Sequence, residues 1–370
     1  MNDDADEKYM HAALELARKG YGRTLPNPMV GALLVKGRAV IGTGWHRKAG
    51  GVHAEIEALN DAQRNDYNIK DATLYVTLEP CSTSGRTPPC THAIIESGLK
   101  RVVIAATDPN PKHSGNAYRL LRKAGIEVRK NILEEEATDL NAAFNHWITH
   151  RTPFVTVKAA MTLDGKIAKE NGESKWITSE AARREGMHLR RGSDAILVGI
   201  ETVLADNPSL TTRGGRGVAQ LRRVVLDSRA RTPLDAKIVC DGAANSTTVV
   251  VLKGARHRSV VELRKRVMVV EAPARHGRID LKWLLKRLGR ENISNLLVEG
   301  GGEVNAAFLN NRLAQRVAFF YAPKILGGSR SRSAVGGNGM RNPREGLRLS
   351  AVEWRRVGPD LLLTARVEND

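Results

Sequence analysis

Four side chains near the start of the sequence have the types and spacing of a hydrolytic metal site: His53 and Glu55 within His53-Ala54-Glu55, and Cys81 and Cys90, with eight residues between them and each preceded by proline. A catalytic zinc takes three protein ligands and keeps one position for water, and one imidazole with two thiolates meets that count at bonds of about 2.0 and 2.3 Å. Such a metal lowers the pKa of its water towards about 7, so that hydroxide attacks an amino-bearing ring carbon. A carboxylate beyond the ligand set then takes the proton and returns it to departing ammonia. His53, Cys81 and Cys90 suit the first task and Glu55 the second. A closed structural zinc knot would need a fourth protein ligand. Cys240 lies in the other half of the chain, and no spacing recommends His92.

A second constellation follows the apolar run Asn295–Glu299, where Gly300-Gly301-Gly302 leads into Glu303-Val304-Asn305-Ala306-Ala307-Phe308. Glycines let the backbone approach closely, and free N–H groups at a helix start bind anionic oxygens. The run lacks the last glycine of the G-x-G-x-x-G fingerprint, with Asn305 in its place, and by itself reads equally well as a tight structural turn.

The elements around these residues must bring them together. Residues two apart do not share a helix side, so His53 and Glu55 converge only at a helix tip; the pattern predicts that helix from His53 to Arg64. Cys90 follows Pro88-Pro89 at another helix start, where the N–H groups and the dipole favour thiolate. Before them come a helix over Glu7–Lys19 and two strands, Val30–Val35 and Ala39–Trp45, joined across Lys36-Gly37-Arg38. Strands at Thr73–Leu78 and Arg101–Ala106, a helix at Asn116–Ala124 and a closing helix over Glu134–His150 complete a layered α/β sheet. Arg151-Thr152-Pro153 resets the chain, which places a domain boundary there: 1–150 and 151–370. The second half alternates again. Strands are expected near Phe154–Lys158, Asp194–Gly199, Arg223–Asp227, Thr247–Leu252, Val267–Val270, Asn295–Glu299 and Arg316–Tyr321, with helices near Ser179–Arg191, Asp280–Leu288 and Glu303–Asn311. That is an α/β domain of nucleotide-binding type.

At 370 residues the chain exceeds what one core usually serves, and 41% apolar with 26% charged residues is ordinary for a folded globular protein. No run approaches the roughly 18 apolar residues of a membrane span. Met1 to Glu7 is acidic where a signal peptide is basic, and three cysteines cannot pair completely, so a cytoplasmic location is expected. A net charge of +18 would attract polyanions, yet the basic residues (Arg183, Arg184, Arg190, Arg191, Arg222, Arg223, Arg264, Arg266) are scattered and not interleaved with aromatics. They read as a solvated surface that draws in phosphorylated substrates.

His53-Ala54-Glu55 followed by Pro80-Cys81-x8-Cys90 resembles the cytidine-deaminase superfamily. With Pro26-Asn27-Pro28, Gly85-Arg86-Thr87-Pro88-Pro89-Cys90, Lys158-Ala159-Ala160-Met161-Thr162-Leu163-Asp164-Gly165-Lys166 and Thr202-Val203-Leu204-Ala205-Asp206-Asn207-Pro208, the chain resembles the bifunctional riboflavin-biosynthesis deaminase-reductases over nearly its whole length. The resemblance implies a cytidine-deaminase-like three-layer α/β/α domain followed by a dihydrofolate-reductase-like α/β domain, with zinc and NADPH as cofactors. It implies deamination of 2,5-diamino-6-(5-phosphoribosylamino)pyrimidin-4-one, then reduction of the ribosyl chain of the resulting uracil to the ribityl form. Carried over by position, Asn27, His46, Glu55 and Arg86 contact the first substrate. Ala160, Trp176, Thr202, Asp206, Ser228 and the Gly301–Ala307 stretch (Gly301, Gly302, Glu303, Val304, Asn305, Ala306, Ala307) line the NADPH site. Lys158, Ser174, Arg190, Leu210, Arg213 and Glu299 hold the phosphoribosyl substrate, Arg190 and Arg213 being suited to its phosphate. Self-association is implied as well, and no nucleic-acid or membrane partner. The chain departs from the family at Thr83, where an imidazole is usual, which puts one substrate contact in question.

Two other readings use the same residues. A nucleic-acid deaminase would suit the basic charge, but the eight-residue spacing and the second domain oppose it. A zinc-stabilised RNA-binding protein would show binding that weakens steeply between roughly 50 and 200 mM salt, without ammonia release.

Overall fold

A computed structural model describes residues 3–83, 88–170, 172, 174–212, 220–339 and 342–368. The chain divides into two compact units, Met1–Arg151 and Thr152–Asp370.

In the first unit a helix, α1 (Asp3–Arg18), precedes the hairpin β1 (Gly31–Lys36) and β2 (Ala39–Trp45). Then come α2 (Ala54–Arg64), β3 (Thr73–Leu78), α3 (Cys90–Glu96), β4 (Arg101–Ala106), α4 (Asn116–Lys123), β5 (Glu127–Lys130), α5 (Glu134–Leu140) and α6 (Ala142–His150). The sheet order is β2-β1-β3-β4-β5, with β1 antiparallel to both neighbours and β3, β4 and β5 parallel. Its central strands β1, β3 and β4 are apolar on both faces, as a sheet covered by helices on both sides requires. Leu34, Leu74 and Ile104 pack against Ala58 of α2 and Leu121 of α4 on one side. Leu33, Tyr75 and Val103 pack against Met10 and Leu14 of α1 on the other. The long helix expected over Glu134–His150 is two, because Asn141 leaves helical geometry to clasp the Met29 backbone, accepting from its N–H at 2.7 Å and donating to its carbonyl at 2.9 Å. Strand β5, short and half-polar, has no counterpart in the sequence pattern.

Helix α2 rests directly on the hairpin. A Cβ at Gly44 would lie 2.2 Å from the Ala54 carbonyl oxygen and 2.5 Å from the Ala58 nitrogen, so only glycine lets the backbones approach. Because these are backbone atoms, Gly44→Ala must move α2, at a cost of about 1–3 kcal/mol typical of overpacking. The purified variant is expected to melt lower and to carry less than stoichiometric zinc by metal analysis. Full zinc content would show that α2 tolerates the shift.

The second unit begins with β6 (Phe154–Thr162) and β7 (Lys166–Ala168), followed by α7 (Glu180–Arg191), β8 (Ala195–Gly199), α8 (Ile200–Asp206), β9 (Arg222–Leu226), α9 (Lys237–Cys240), β10 (Thr247–Leu252) and α10 (His257–Arg264). The chain continues through β11 (Met268–Ala272), the ribbon β12 (Ala274–Arg275) and β13 (Arg278–Ile279), α11 (Leu281–Arg290), β14 (Asn295–Val298) and α12 (Gly302–Asn310). Strands β15 (Arg316–Ala322), β16 (Arg332–Ser333), β17 (Leu349–Val357) and β18 (Asp360–Val367) end it. The main sheet runs β11-β10-β9-β8-β14-β6-β15-β18-β17 and is parallel from β11 to β15. The β17–β18 hairpin, absent from the sequence pattern, adds two antiparallel strands at the β15 side. Helices α11 and α12 cover one face, and α8, α9 and α10 cover part of the other. Strand β14 lies between β6 and β8, so Glu299 and the glycine run leave the sheet at a switch in strand order, where open α/β sheets bind ligands.

Among the described residues no helix is long and apolar enough to cross a membrane. Two of the basic residues expected on a solvated surface are drawn inward instead. Arg223 is fully buried and paired with Asp241, and Arg190 is paired with Glu299.

Candidate functional site

Helix α2 starts at Ala54 with His53 in extended conformation as its N-cap. The imidazole bonds none of the helix N–H groups, which frees it to turn towards the cysteines. Cys81 follows β3, and Cys90 is the first residue of α3. His53 Nδ1 lies 3.2 Å from Cys90 Sγ and 3.6 Å from Cys81 Sγ, and the three donor atoms all lie within 4.8 Å of one another. A tetrahedral ion with bonds of about 2.0–2.3 Å puts its ligand atoms about 3.5 Å apart, so the spacing fits zinc. No fourth His, Cys, Asp or Glu joins the set among the described residues, which leaves a position open. His92 instead pairs with Glu96 on the exposed side of α3.

The electrostatics suit metal binding. Cys81 is pulled down to about 4, first by the Cys90 hydrogen bond, then by His53, against the effect of burial. Cys90 moves the opposite way, raised by its hydrogen bond to Cys81 and by burial, as two sulfurs that share a proton do. The Cys90 backbone N–H donates to Cys81 Sγ at 3.2 Å, the helix-start contact expected to favour thiolate. Glu55 is 4% exposed, and burial pushes its carboxyl up, partly offset by His53. A carboxyl poised above its usual range beside a metal site suits a group that takes and returns a proton.

Around the metal ligands, His46 is buried and held neutral chiefly by that burial. Its Nδ1 faces the Val52 carbonyl at 3.0 Å, which only accepts, so that nitrogen carries the proton; Nε2 then accepts from the Asn27 amide at 3.2 Å. Both ring nitrogens are spent, and His46 orients the Asn27 amide. Arg86 lies outside the described residues. The Thr83 hydroxyl lies 3.4 Å from His113 Nε2. Sequence reasoning passed over Glu79, two residues before Cys81. Its buried carboxylate accepts from the N–H groups of Asp108, Gly115 and Ala117 at 3.0–3.2 Å, tying the end of β3 to the start of α4.

In the second unit, Glu299 sits in a cluster with Arg190 and Lys158. Arg190 Nε and Nη2 fork onto its two oxygens at 2.8 and 2.9 Å, and Lys158 Nζ is 3.6 Å away. Burial alone would raise Glu299, but the two cations outweigh it and hold the carboxyl at about 2. Two of the Arg190 nitrogens expected to meet a phosphate are therefore already engaged by Glu299. A second group joins Ser174 Oγ to Asp206 Oδ1 at 3.0 Å, with Lys175 Nζ on the Asp206 carbonyl at 3.2 Å. Trp176 is 65% exposed, with Arg183 over its ring at 4.5 Å and Lys324 Nζ on its carbonyl. Ala160, Thr202, Ser228 and Ala307 are half-buried. Leu210 is buried in the core under α8 and α9, so the substrate contact expected of it would have to use its backbone. Arg213 lies outside the described residues.

The glycine run divides by function. A Cβ at Gly300 would strike Val304, and one at Gly302 would lie 2.3 Å from the Ser333 carbonyl, so both are required by packing. Gly301, the N-cap of α12, has nothing within 4 Å of its would-be Cβ. It leaves the helix start open to an anionic group, which fits a dinucleotide phosphate. Val304 is half-buried, and Glu303 is exposed with its carboxylate accepting from the Gly337 N–H. Asn305 and Ala306 are turned inward, and the Asn305 amide donates to the Ala334 carbonyl at 2.8 Å.

Each unit thus has the architecture of a known enzyme domain: a cytidine-deaminase-like zinc-binding domain, then a dihydrofolate-reductase-like domain of the NADPH-dependent type. Residues 3–106 match the cytidine and deoxycytidylate deaminase zinc-binding region, and residues 153–363 match the RibD C-terminal domain. The chain belongs to the RibD family of bifunctional deaminase-reductases of riboflavin biosynthesis. It is 42% identical over 363 residues to riboflavin biosynthesis protein RibD of Bacillus amyloliquefaciens, covering 97% of this chain and 96% of that one. The corresponding Escherichia coli protein is 37% identical, with 97% and 98% covered. Acinetobacter baumannii RibD superposes with a TM-score of 0.87 at 36% identity over the whole of both chains. A Thermotoga maritima structure titled diaminohydroxyphosphoribosylaminopyrimidine deaminase/5-amino-6-(5-phosphoribosylamino)uracil reductase superposes at 0.85, with 36% identity and 99% of both chains covered.

Proposed function

We propose that this chain performs two successive steps on one phosphorylated pyrimidine. Residues 1–150 hydrolytically deaminate 2,5-diamino-6-(5-phosphoribosylamino)pyrimidin-4-one. Residues 151–370 reduce the ribosyl chain of 5-amino-6-(5-phosphoribosylamino)uracil to the ribityl form. The reading is carried by the convergence of His53, Cys81 and Cys90 beside buried Glu55, in a chain similar along its length to a protein titled for both activities.

Zinc, when bound by the three ligands, supplies the Lewis acidity that makes water a nucleophile near neutral pH. Glu55 takes a proton from the water as it adds to the amino-bearing carbon and gives it to the amino nitrogen, which leaves as ammonia. Asn27, oriented by His46, offers a carbonyl oxygen to the N–H groups of the pyrimidine, and Arg86 forks onto the phosphate. In the second unit, NADPH, when bound along Ala160, Trp176, Thr202, Asp206, Ser228 and the Gly301–Ala307 stretch, supplies hydride to C1′ of the opened ribose. Glu299 holds Lys158 and Arg190 aimed at the sugar, with Ser174, the Leu210 backbone and Arg213 holding the rest of the substrate.

Thiol ligands and the free, exposed Cys240 suit a reducing, cytoplasmic setting. Self-association goes with the same reading, because β17 ends the sheet and leaves Val352 and Trp354 47% and 58% exposed. The test is incubation with the diaminopyrimidine, zinc and NADPH, following both signals separately. Ammonia release with NADPH oxidation that depends on it is expected. NADPH oxidation without ammonia release, or neither signal with zinc present, removes the reading.

A further inference from the structure

Between Asp206 and Thr212 the chain crosses from one part of the reductive site to another. Ser174 and Lys175 bond Asp206 at one end, and Arg190 Nη1 reaches the Thr211 carbonyl at 3.5 Å near the other. Asn207 and Leu210 take left-handed backbone angles, with φ of 41° and 51°, a conformation that needs outside support. One support is the Lys237 N–H on Asn207 Oδ1 at 2.9 Å. The other comes from Arg223 on β9, whose side chain is fully buried.

The Arg223 guanidinium has all five N–H groups engaged. Nη1 donates to the Ser209 carbonyl at 2.8 Å and to Asp241 Oδ2 at 2.7 Å. Nη2 donates to Asp241 Oδ1 at 2.9 Å and to the Ile238 carbonyl at 3.1 Å, and Nε donates to Thr247 Oγ1 at 2.8 Å. Thr247 in turn donates to the Ile238 carbonyl at 2.7 Å. A planar fork with fixed donor directions, locked on three sides by α9, Asp241 and β10, fixes the Ser209 carbonyl more rigidly than a lysine or water would. A guanidinium used only to neutralise Asp241 would not need to reach across to Ser209.

We propose that Arg223 is a positioning residue of the reductive site: through the Ser209 carbonyl it sets the Asp206–Thr212 segment against Arg190 and Ser174, and so sets how tightly the phosphoribosyl substrate is held. The proposal rests on the reductase reading above. Arg223 touches no substrate itself and acts through the backbone of the wall it pins.

The test uses the full chain with Arg223→Lys and, as a milder lever, Thr247→Val, which removes the Nε acceptor while leaving the buried charge pair intact. The deaminase constants of the first unit serve as an internal control. In Arg223→Lys the KM for the deaminated pyrimidine in NADPH-dependent reduction is expected to rise about tenfold, with kcat and the NADPH Kd within about threefold, because Asp206, at the end of the segment away from Ser209, keeps its own bonds to Ser174 and Lys175. Thr247→Val is expected to move the same KM about threefold in the same direction. A folded Arg223→Lys chain whose reductive KM stays within about twofold of wild type overturns the proposal. So does one in which kcat and NADPH affinity fall as steeply as KM rises, together with a lowered melting temperature. If Arg223→Lys does not fold, Thr247→Val decides alone, and an unchanged KM in that variant overturns the proposal. Failure of the wild-type chain to reduce the uracil would instead sink the reductase reading, which keeps the two failures apart.

Discussion

Replacing Glu55 with Gln is expected to yield a chain that retains zinc and still reduces supplied deaminated intermediate, but releases ammonia about 10²–10⁴-fold more slowly, the range of a lost general acid–base group. Glutamine keeps the shape and much of the hydrogen bonding of the side chain, and Glu55 is outside the ligand set formed by His53, Cys81 and Cys90. What it cannot do is accept and return a proton. Burial already pushes the Glu55 carboxyl upward, so the wild-type group carries its proton more readily than a solvent-exposed glutamate. Three measurements on one preparation separate the outcomes: zinc content, ammonia release and NADPH oxidation on the uracil intermediate. Deamination at the wild-type rate would refute the role of Glu55, and lost reduction would refute the division of labour between the units.

The largest stability effect is expected away from both sites. Asp6 on α1 is 2% exposed and accepts from Arg101 Nη1 and Nη2 at 2.9 and 2.8 Å and from the Tyr75 hydroxyl at 2.7 Å. Arg129 joins the same carboxylate. Asp6→Ala leaves Arg101 buried with half of its partners gone, a change that costs about 3–5 kcal/mol. Hydrogen exchange of the α1 amides is the direct readout, with the opening free energy falling by that amount at neutral pH. Burial by itself would raise the Asp6 carboxyl, but Arg101 and Tyr75 outweigh it and hold it below 3.8. A depressed folded pKa gives stability that is complete above the unfolded value and disappears as pH falls through the folded one. The gap between variant and wild type should therefore narrow below about pH 4. An α1 as protected in the variant as in wild type would show that the cluster contributes nothing.

The zinc constellation was legible because its information is local. Cys81 and Cys90 are one short loop apart, and His53 and Glu55 share a helix tip whose start the sequence marks. Strand and helix periodicity made two layered α/β domains legible, and the resemblance carried by His53-Ala54-Glu55 with Pro80-Cys81, and by Lys158–Lys166 and Thr202–Pro208, implied their cytidine-deaminase-like and dihydrofolate-reductase-like folds. What escaped was set by pairing across long separations. Arg223 looked like one more surface cation, yet it lies on a strand covered on both faces, where no alternation marks an inward position. Asn141 has nothing in its neighbours to show that it would break a helix to hold Met29. The β17–β18 hairpin was missed because β17 is a polar, largely exposed edge strand whose residues lack the apolar alternation of a half-buried one. Only contact geometry separates Gly301, with open space beside it, from Gly300 and Gly302, which neighbours crowd.

The Asp6 cluster also orders events in time. Its partners lie 95 and 123 residues further along the chain, so α1 leaves the ribosome well before the residues that fix it. At about 5–20 residues per second, α1 waits on the order of ten seconds after it appears before Arg129 exists to receive it. During that interval the apolar stripe of Met10 and Leu14 has at most β1 and β3, part of its sheet, to cover it until β4 is made. A nascent chain stalled before β4 should therefore hold α1 open to chaperones and proteases, and one stalled after β5 should not.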